Sequence, residues 1–408
     1  MSIIVQKFGG SSVADSHHIF NVAKKIIPFY KKGYDVIVVV SAQGDTTDKL
    51  VNMAVEINDQ ASKREMDVLL SAGEQISASL LAMAIQRLGF PAKSLLGWQA
   101  GFRTDSIHSN AQIQKITTDR IKSEIKQKNI VIVAGFQGVD ALNDITTLGR
   151  GGSDTSAVAI AGEIKADVCK IYTDVDGVYT ADPRLVPSAR KLDSISYQEM
   201  FKLSSLGSQV LKDVSIKTAQ KYGVELEVLS SLKNDAKGTI VKANTVNKGN
   251  SISGIATEKN LVKVSIVGIE DMFKFKQEII SKLEEKNLIK EPNLKSTSKL
   301  NPKSYEFLVE ESSLQEVLNF IEKNPLPDKN NFEISYTKDK CKISVVNLEE
   351  SYNLNIASII FEALHEINVN IEMTACDNDH VSVVLKSNDL YRSINLIHNK
   401  LYEEDYLL

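Results

Sequence analysis

Residues 149–154 read Gly149-Arg150-Gly151-Gly152-Ser153-Asp154 and run into an alanine-rich stretch, 155–161. Three glycines in four positions would undo the interior of a helix or strand, because glycine loses more backbone entropy on ordering than any other residue. Set before a helical run, with Ser153 and Asp154 as capping types, they predict a loop opening onto a helix that begins there. Bare amides, a positive dipole end and no Cβ in the way make such a junction an anion site. Arg150 adds a planar cation suited to gripping a carboxylate or phosphate with two hydrogen bonds. The plain alternative is a glycine-rich turn carrying a surface arginine.

A second glycine loop, Lys7-Phe8-Gly9-Gly10-Ser11, follows Ile3-Ile4-Val5 directly and precedes a helical pattern. Strand, lysine, glycine pair and helix is again a geometry for phosphate on backbone amides, although the lysine that ends a Walker loop is absent. By itself this string reads better as a structural turn. Between 173 and 184 stand Asp174, Asp176, Tyr179, Asp182 and Arg184, all in turn chemistry. Such a loop would suit ribose hydroxyls, metal-bound water and a base, but solvated acidic turns are the default and calcium-loop spacing is not met. Glu74 falls among apolar helical neighbours and is a candidate buried acid, against the commoner outcome of a solvated glutamate.

Strands and helices must hold these residues. Ile3-Ile4-Val5, 36–40, 130–134 and 168–172 are apolar runs of buried-strand type, joined by 225–230 and 240–241. Helical spacing covers 15–30, 49–57, 66–88, 117–128 and 203–222. The alternation predicts an α/β fold with a mainly parallel central sheet flanked by helices. The hydroxyl- and glycine-rich 41–48 then lies at a strand's carboxyl end, where such sheets put ligands. Around 243–251 the texture turns to Asn, Lys, Gly and Ser, which places a linker at 246–259 after a first domain of 1–245. Beyond it come two βαββα units of about 70 residues, a weak internal repeat. The first has strands at 261–267 and 305–309 and helices at 273–284 and 313–322. The second has strands at 342–346, 369–373 and 381–385 and helices at 356–367 and 390–402.

A chain of 408 residues predicts two or three domains. It is 43% hydrophobic and 25% charged, the composition of a soluble globular protein. With 52 acidic and 48 basic residues, a net charge of −4 argues against nucleic-acid binding. Cys169, Cys341 and Cys376 build neither a zinc spacing nor a disulfide framework, which fits a reducing cytoplasm. The N-terminal residues lack a signal-peptide layout, and the longest apolar runs fall far short of a membrane span.

These strings resemble the aspartokinases of the amino acid kinase family. They are KFGGSSVA at 7–14, SAQGDTTD at 41–48, SAGEQIS at 71–77, GWQAG at 97–101, AGFQGVD at 134–140, TTLGRGGSDTSAVA at 146–159 and YTDVDGVYTADPR at 172–184. The C-terminal third resembles, more loosely, tandem ACT domains at 260–338 and 339–408. The resemblance implies an amino acid kinase-like sandwich followed by α+β domains of βαββαβ type. It also implies transfer of the ATP γ-phosphoryl to the side-chain carboxylate of L-aspartate, the first step toward lysine, threonine and methionine. A carboxylate with a reference pKa near ~4 is already ionised, so no general base is required. Catalysis must come from positioning and from neutralising charge on the moving phosphoryl group.

By the resemblance, Lys7 stabilises that group, Asp154 orients Lys7, and Phe8, Gly9, Gly10 and Ser11 line the ATP phosphates. Arg150 holds the aspartate α-carboxylate and Glu74 its α-ammonium, with Ser41, Thr47, Gly151, Gly152 and Ser153 completing the acceptor pocket. Thr173, Asp174, Tyr179, Asp182, Arg184 and Lys233 surround the nucleotide. Mg²⁺ would be held chiefly by the phosphates, without dedicated protein ligands. A homo-oligomer formed through the ACT region is implied as well.

Departures from the family pattern fall in two places. Many relatives carry His-Pro or an arginine after the late Val-Leu, where this chain has Val210-Leu211-Lys212-Asp213-Val214, and Leu229 stands where many have arginine. Lys233 and Lys237 are the candidate substitutes. The ACT turns at 268–273 and 347–353 lack the usual Pro-Gly pair, so inhibition by lysine or threonine is expected to be weakened, absent or retargeted; Val369-Asn370-Ile371 keeps the family pattern. Two rival functions stand: a relative phosphorylating glutamate, carbamate or a nucleoside monophosphate, and a binding paralogue without turnover. Arg150 with Glu74 favours an amino-acid zwitterion over the first, and the retained Lys7 and glycine loops argue against the second.

Overall fold

The computed structural model describes residues 2–233, 237–243, 252–297, 303–324, 333–348 and 353–402. Cα proximity divides the chain into two compact units. The first comprises Met1–Val178, Lys191–Ser204 and Gln209–Val246; the second comprises Tyr179–Arg190, Ser205–Ser208 and Asn247–Leu408.

In chain order the N-terminal part runs β1 (Ile3–Phe8), α1 (Ser16–Lys31), β2 (Asp35–Val40), α2 (Thr46–Ile57), α3 (Lys63–Arg87), β3 (Ala92–Leu95), β4 (Phe102–Thr104) and β5 (Ile113–Ile116). It continues with α4 (Asp119–Lys126), β6 (Ile130–Ala134), β7 (Gln137–Val139), β8 (Ile145–Thr147), α5 (Gly152–Ile164) and β9 (Val168–Thr173). Then come β10 (Ser194–Ser196), α6 (Tyr197–Ser205), α7 (Asp213–Tyr222), β11 (Leu226–Ser230) and β12 (Thr239–Lys242). Eight strands form one sheet in the order β10-β12-β11-β9-β1-β2-β6-β3, parallel except between β11 and β12. A smaller sheet has the order β5-β4-β7-β8.

Period-two alternation assigns the two faces of the large sheet. Ile4, Phe8, Val36, Val38, Val40, Ile130 and Ile132 pack with Ile19, Val22 and Ile26 of α1 and Leu81 and Ile85 of α3. The intervening positions meet α5, which lies against β1, β2 and β9. Almost all of α5 is buried, so its small residues answer a packing demand: a Cβ on Gly162 would stand 2.3 Å from Cγ of Tyr222. Among the described residues, α3 is the one helix long and apolar enough to cross a membrane, and half of that stretch is buried within the protein. It carries Asp67 and Glu74, 0% and 4% exposed, which marks it as a core helix.

Three expectations for this part change. Helix α5 begins at Gly152 with left-handed Gly151 (φ +78°) as its cap residue, and no side chain caps it. The Asp154 carboxylate is drawn to Lys7 instead. The helix expected over 203–222 is two, α6 and α7, because Gly207 adopts φ +120°, outside the helical region. Strands β3, β4, β5, β7, β8 and β10 lie outside the expected strands, being three or four residues long and too short to display alternation.

The second unit contains β13 (Ile252–Val267), α8 (Met272–Phe275), α9 (Ser281–Glu285), β14 (Lys295–Ser296), β15 (Ser304–Glu310), α10 (Leu314–Lys323) and β16 (Glu333–Asn347). It ends with α11 (Asn353–Glu366), β17 (Met373–Asp377), β18 (His380–Lys386) and α12 (Leu390–Tyr402). All six strands form one antiparallel sheet, β14-β17-β18-β16-β13-β15. The 16-residue β13 pairs with β15 on one side and β16 on the other, so the two repeats share a sheet. The linker expected at 246–259 is already strand from Ile252; 246–251 lie outside the described residues. The strand expected at 369–373 begins at Met373, since Thr297 takes the carbonyls of Ile371 and Glu372.

Along β16, Cys341, Ile343 and Val345 join the core with Ile356 and Ile360 of α11 and Ile394 and Ile397 of α12. The alternate residues carry charge. Lys342, 1% exposed, places Nζ 2.7 Å from Glu258 Oε2 and 2.7 Å from Glu291 Oε2. His380 Nε2 lies 2.9 Å from Glu291 Oε1, and Ser382 Oγ donates to Oε2 at 3.0 Å. Burial raises the Glu291 carboxyl, but the His380 hydrogen bond and the Lys342 ammonium outweigh it and hold the group down at about 2. A carboxyl depressed in the fold contributes stability above its ordinary value of 4.5 that is lost as pH falls toward 2. Glu291→Gln should therefore flatten the decline in urea midpoint between pH 4.5 and about pH 2, the span of that titration. Lys342→Ala, which strands two buried carboxylates, should cost about 3–5 kcal/mol at neutral pH by the same measurement.

Candidate active site

Parallel registers pair Phe8 with Val40 and with Tyr172, and Val40 with Ala134, so β1, β2, β6 and β9 end along one edge of the sheet. The loops leaving that edge carry the residues whose types suggested chemistry. Lys7, 8% exposed, points from β1 toward α5, where its Nζ lies 2.7 Å from Asp154 Oδ1. A Cβ on Gly9 would stand 3.6 Å from that ammonium, and one on Gly10 would collide with the Ala42 carbonyl at 2.7 Å. The loop beside Lys7 is therefore bare backbone. It closes into one short helical turn, with the Gly44 amide donating to the Gly10 carbonyl at 3.0 Å.

From α3, Glu74 reaches the end of β2. Its Oε1 accepts the Ala42 N–H at 3.0 Å, and its Oε2 has no hydrogen-bond partner among the described residues. The approach is close because residue 73 is glycine: a Cβ there would lie 2.7 Å from that of Ala42. Burial pushes the Glu74 carboxyl up to about 7, against the pull of the Ala42 amide and the Lys7 charge. Ser41 and Thr47, half-buried, flank the same loop.

The glycine-arginine loop begins after β8. Gly149 and Gly151 take φ +70° and +78°, and the Gly152 amide donates to the Gly149 carbonyl at 3.1 Å. Ser156 Oγ accepts from the Phe136 amide and donates to the Gly152 carbonyl, tying α5 to the end of β6. Gly135 permits this, since its Cβ would lie 2.9 Å from Cβ of Ser153. Ser153 is 7% exposed, whereas Arg150 is exposed and without an ion pair among the described residues. Over Gly151 lies the aliphatic stem of Lys212, whose Cγ would be 2.3 Å from a Cβ there.

At the end of β9, Thr173 Oγ1 donates to Asp174 Oδ1 at 2.9 Å. Lys233 Nζ lies 2.8 Å from Asp176 Oδ2, while Lys237 is engaged by Asp193 at 3.1 Å. Leu229 is a core residue packed beside Tyr172, so this position carries no polar function. Tyr179, Asp182 and Arg184 belong to the second unit. There Arg184 grips Asp182 in two-pronged fashion, Nε at 3.0 Å and Nη2 at 2.9 Å, and Ala181 and Val186 join that unit's core. Lys7, Phe8, Gly9, Gly10, Ser11, Ser41, Thr47, Glu74, Arg150, Gly151, Gly152, Ser153, Asp154, Thr173, Asp174 and Lys233 all fall in the first unit, and the other three in the second. No group of three or more His, Cys, Asp or Glu placed to ligate a metal occurs among the described residues.

Two side chains beside these loops lie outside the expected site: Lys212, which departs from the family pattern, and Asp67. Asp67 lies seven residues before Glu74, two turns along the same helix face, and that spacing was the available signal. Its carboxylate is fully buried and accepts Thr147 Oγ1 at 2.6 Å.

The arrangement offers a held cation beside open backbone, together with a buried carboxylate oxygen and an exposed guanidinium that are unpaired among the described residues. That set suits an amino-acid zwitterion meeting a phosphate. Residues 2–230 match the amino acid kinase family. The aspartokinase of Geobacillus stearothermophilus is 41% identical over 399 residues, covering 98% of this chain and 97% of that protein. Aspartokinase 2 of Bacillus subtilis (strain 168) is 41% identical over 400 residues, with the same shares. Among solved structures, E. coli aspartokinase III in complex with aspartate and ADP shares the fold, with a TM-score of 0.80 at 21% identity over 98% of this chain and 100% of that one. With the family match covering more than half of its residues and relatives alike over nearly its whole length, the chain belongs to the aspartokinases of the amino acid kinase family.

Proposed function

We propose that the chain phosphorylates the side-chain carboxylate of L-aspartate with ATP, giving 4-phospho-L-aspartate at the head of lysine, threonine and methionine synthesis. The observation that carries this reading is the nearly buried Lys7–Asp154 pair beside open glycine backbone, with the unpartnered Glu74 oxygen on the adjoining loop. An aspartate carboxylate oxygen attacks the γ-phosphorus, and the bond to the bridging oxygen breaks with its electron pair leaving on ADP. The Lys7 ammonium offsets the charge that spreads over the moving group. Asp154 keeps that ammonium aimed, and Gly9, Gly10 and Ser11 offer amides to the phosphates. Glu74 receives the substrate α-ammonium, Arg150 its α-carboxylate, and Ser41, Thr47 and Ser153 complete the pocket. Thr173, Asp174 and Lys233 support the nucleotide side. Mg²⁺ would come held chiefly by the ATP phosphates, as this hard ion usually is. A cytoplasmic homo-oligomer formed through the second unit belongs to the same reading.

The deciding assay supplies Mg-ATP and either L-aspartate or L-glutamate, with hydroxylamine to trap the acyl phosphate. Hydroxamate with aspartate supports the reading; hydroxamate with glutamate alone, or with neither, overturns it. Lys7→Ala should lower kcat by about 10²-fold or more in protein shown to be folded by circular dichroism, because it removes charge stabilisation from the transition state, and it should also lower the melting temperature because it leaves the Asp154 carboxylate unpaired. Glu74 binds an ammonium only when ionised, so kcat/KM for aspartate should rise with pH through about 7, the value to which burial lifts this carboxyl. Glu74→Gln should abolish that rise and leave the KM for ATP unchanged.

A further inference from the structure

The Asp67 carboxylate on α3 is 0% exposed and serves as a single knot for two segments of the first unit. Its Oδ1 accepts Thr147 Oγ1 at 2.6 Å and the Ser109 amide at 3.0 Å; its Oδ2 accepts the Thr147 amide at 3.2 Å and the same Ser109 amide at 3.0 Å. Ser109 Oγ lies 3.4 Å from Oδ1, and His108 Nδ1 lies 2.9 Å from Oδ2. Ser109 sits at φ +68°, a left-handed conformation that a non-glycine residue holds only where its surroundings dictate it. Asp67 supplies that constraint.

Both tied segments border the glycine-arginine loop. Thr147 is the last residue of β8, two before Gly149. The 105–111 turn runs alongside: the Ala111 amide donates to the Thr147 carbonyl at 2.9 Å, and a Cβ on Gly149 would lie 3.0 Å from Asn110 Oδ1. On the same helix face, two turns on, Glu74 is tied to the loop after β2. One rigid helix thus sets the distance between the two loops.

We infer that Asp67 is a positioning residue for the aspartate end of the site: it fixes the backbone from which Arg150 projects and so governs acceptor affinity, without touching substrate. This rests on the reading of Arg150 as the ligand of the α-carboxylate. An asparagine substitutes poorly. With its NH₂ at the Oδ2 position it opposes the Thr147 amide, at the Oδ1 position it crowds the Ser109 amide and must reverse the Thr147 hydroxyl, and either way the charge facing two amides is lost. The cost falls on the 105–111 and 147–151 segments, away from Lys7.

The test compares Asp67→Asn, Thr147→Val and Thr147→Ser with the unaltered chain by steady-state kinetics and by amide hydrogen exchange. Asp67→Asn should raise the aspartate KM by about tenfold or more, with kcat and the ATP KM within about threefold, the pattern of lost acceptor binding. Thr147→Val, nearly isosteric but without the hydroxyl, should give a smaller rise in the same constant, and Thr147→Ser should restore it. Exchange should quicken at 105–111 and 147–151 in Asp67→Asn, a readout independent of the reaction. An aspartate KM unchanged in folded Asp67→Asn and Thr147→Val, or an equal rise for ATP, overturns the inference. Should Asp67→Asn fail to fold, Thr147→Val against Thr147→Ser decides. If the unaltered chain forms no aspartyl hydroxamate, the functional reading fails by itself, and the exchange result still decides whether Asp67 orders the loop.

Discussion

Lys7 Nζ and Asp154 Oδ1 stand 2.7 Å apart, with 10% and 14% of the two side chains exposed. At such burial, lost hydration cancels most of the mutual attraction, so the pair adds little to stability. Its contribution is position. It joins the first strand of the sheet to the first turn of α5 and holds an ammonium beside backbone left open by Gly9 and Gly10. The parallel register of β1 with β2 and β9 brings the loops that follow these strands to one edge of the sheet, beside this cation.

Helix α3 carries the second constraint. It runs against the sheet with Leu81 and Ile85 in the core, while its N-terminal half presents Asp67 and Glu74 to loops on different strands. Ser71, between them, accepts through its carbonyl from Gln137 Nε2 of β7 at 2.9 Å. Three consecutive turns of one helix are thereby keyed to three strand ends. A helix with its backbone hydrogen bonds closed internally is stiff enough to act as a spacer, which a loop of the same length is not. The two acids have opposite fates: Asp67 is saturated by protein donors, whereas Glu74 has one oxygen without a partner among the described residues and its carboxyl is pushed by burial up to about 7.

In the second unit, alternation along β16 separates an apolar face under α11 and α12 from a charged one. Burying Lys342 against Glu258 and Glu291 is not an efficient way to stabilise a sheet, because hydrophobic residues of similar size would do as well. It does impose register: a shift of one residue would carry Lys342 into the apolar core and strand both carboxylates. That requirement falls where β13 and β16 bring the two repeats into a common sheet.

The glycine loops, the apolar strands and the long helices were legible in the chain, because a left-handed turn, a buried strand and a helix face each impose demands that local residue types meet. Lys7, Gly9, Gly10, Arg150 and Asp154 stood out for that reason, and the resemblance to a kinase family followed from their order. Other features had no local signature. Neither the left-handed Gly151 at the head of α5 nor the break at Gly207 separates by composition from the glycines around it; neighbours distant in sequence decide them. The strand beginning at Ile252 reads as linker until β16 pairs with it. Whether an acid on a helix is solvated, saturated or poised depends on which amides fold against it. Sequence determined where the chain bends and which faces are apolar, since those follow from φ preference and side-chain period. Tertiary structure alone decided which charges meet without water, since burial is a property of what surrounds a residue.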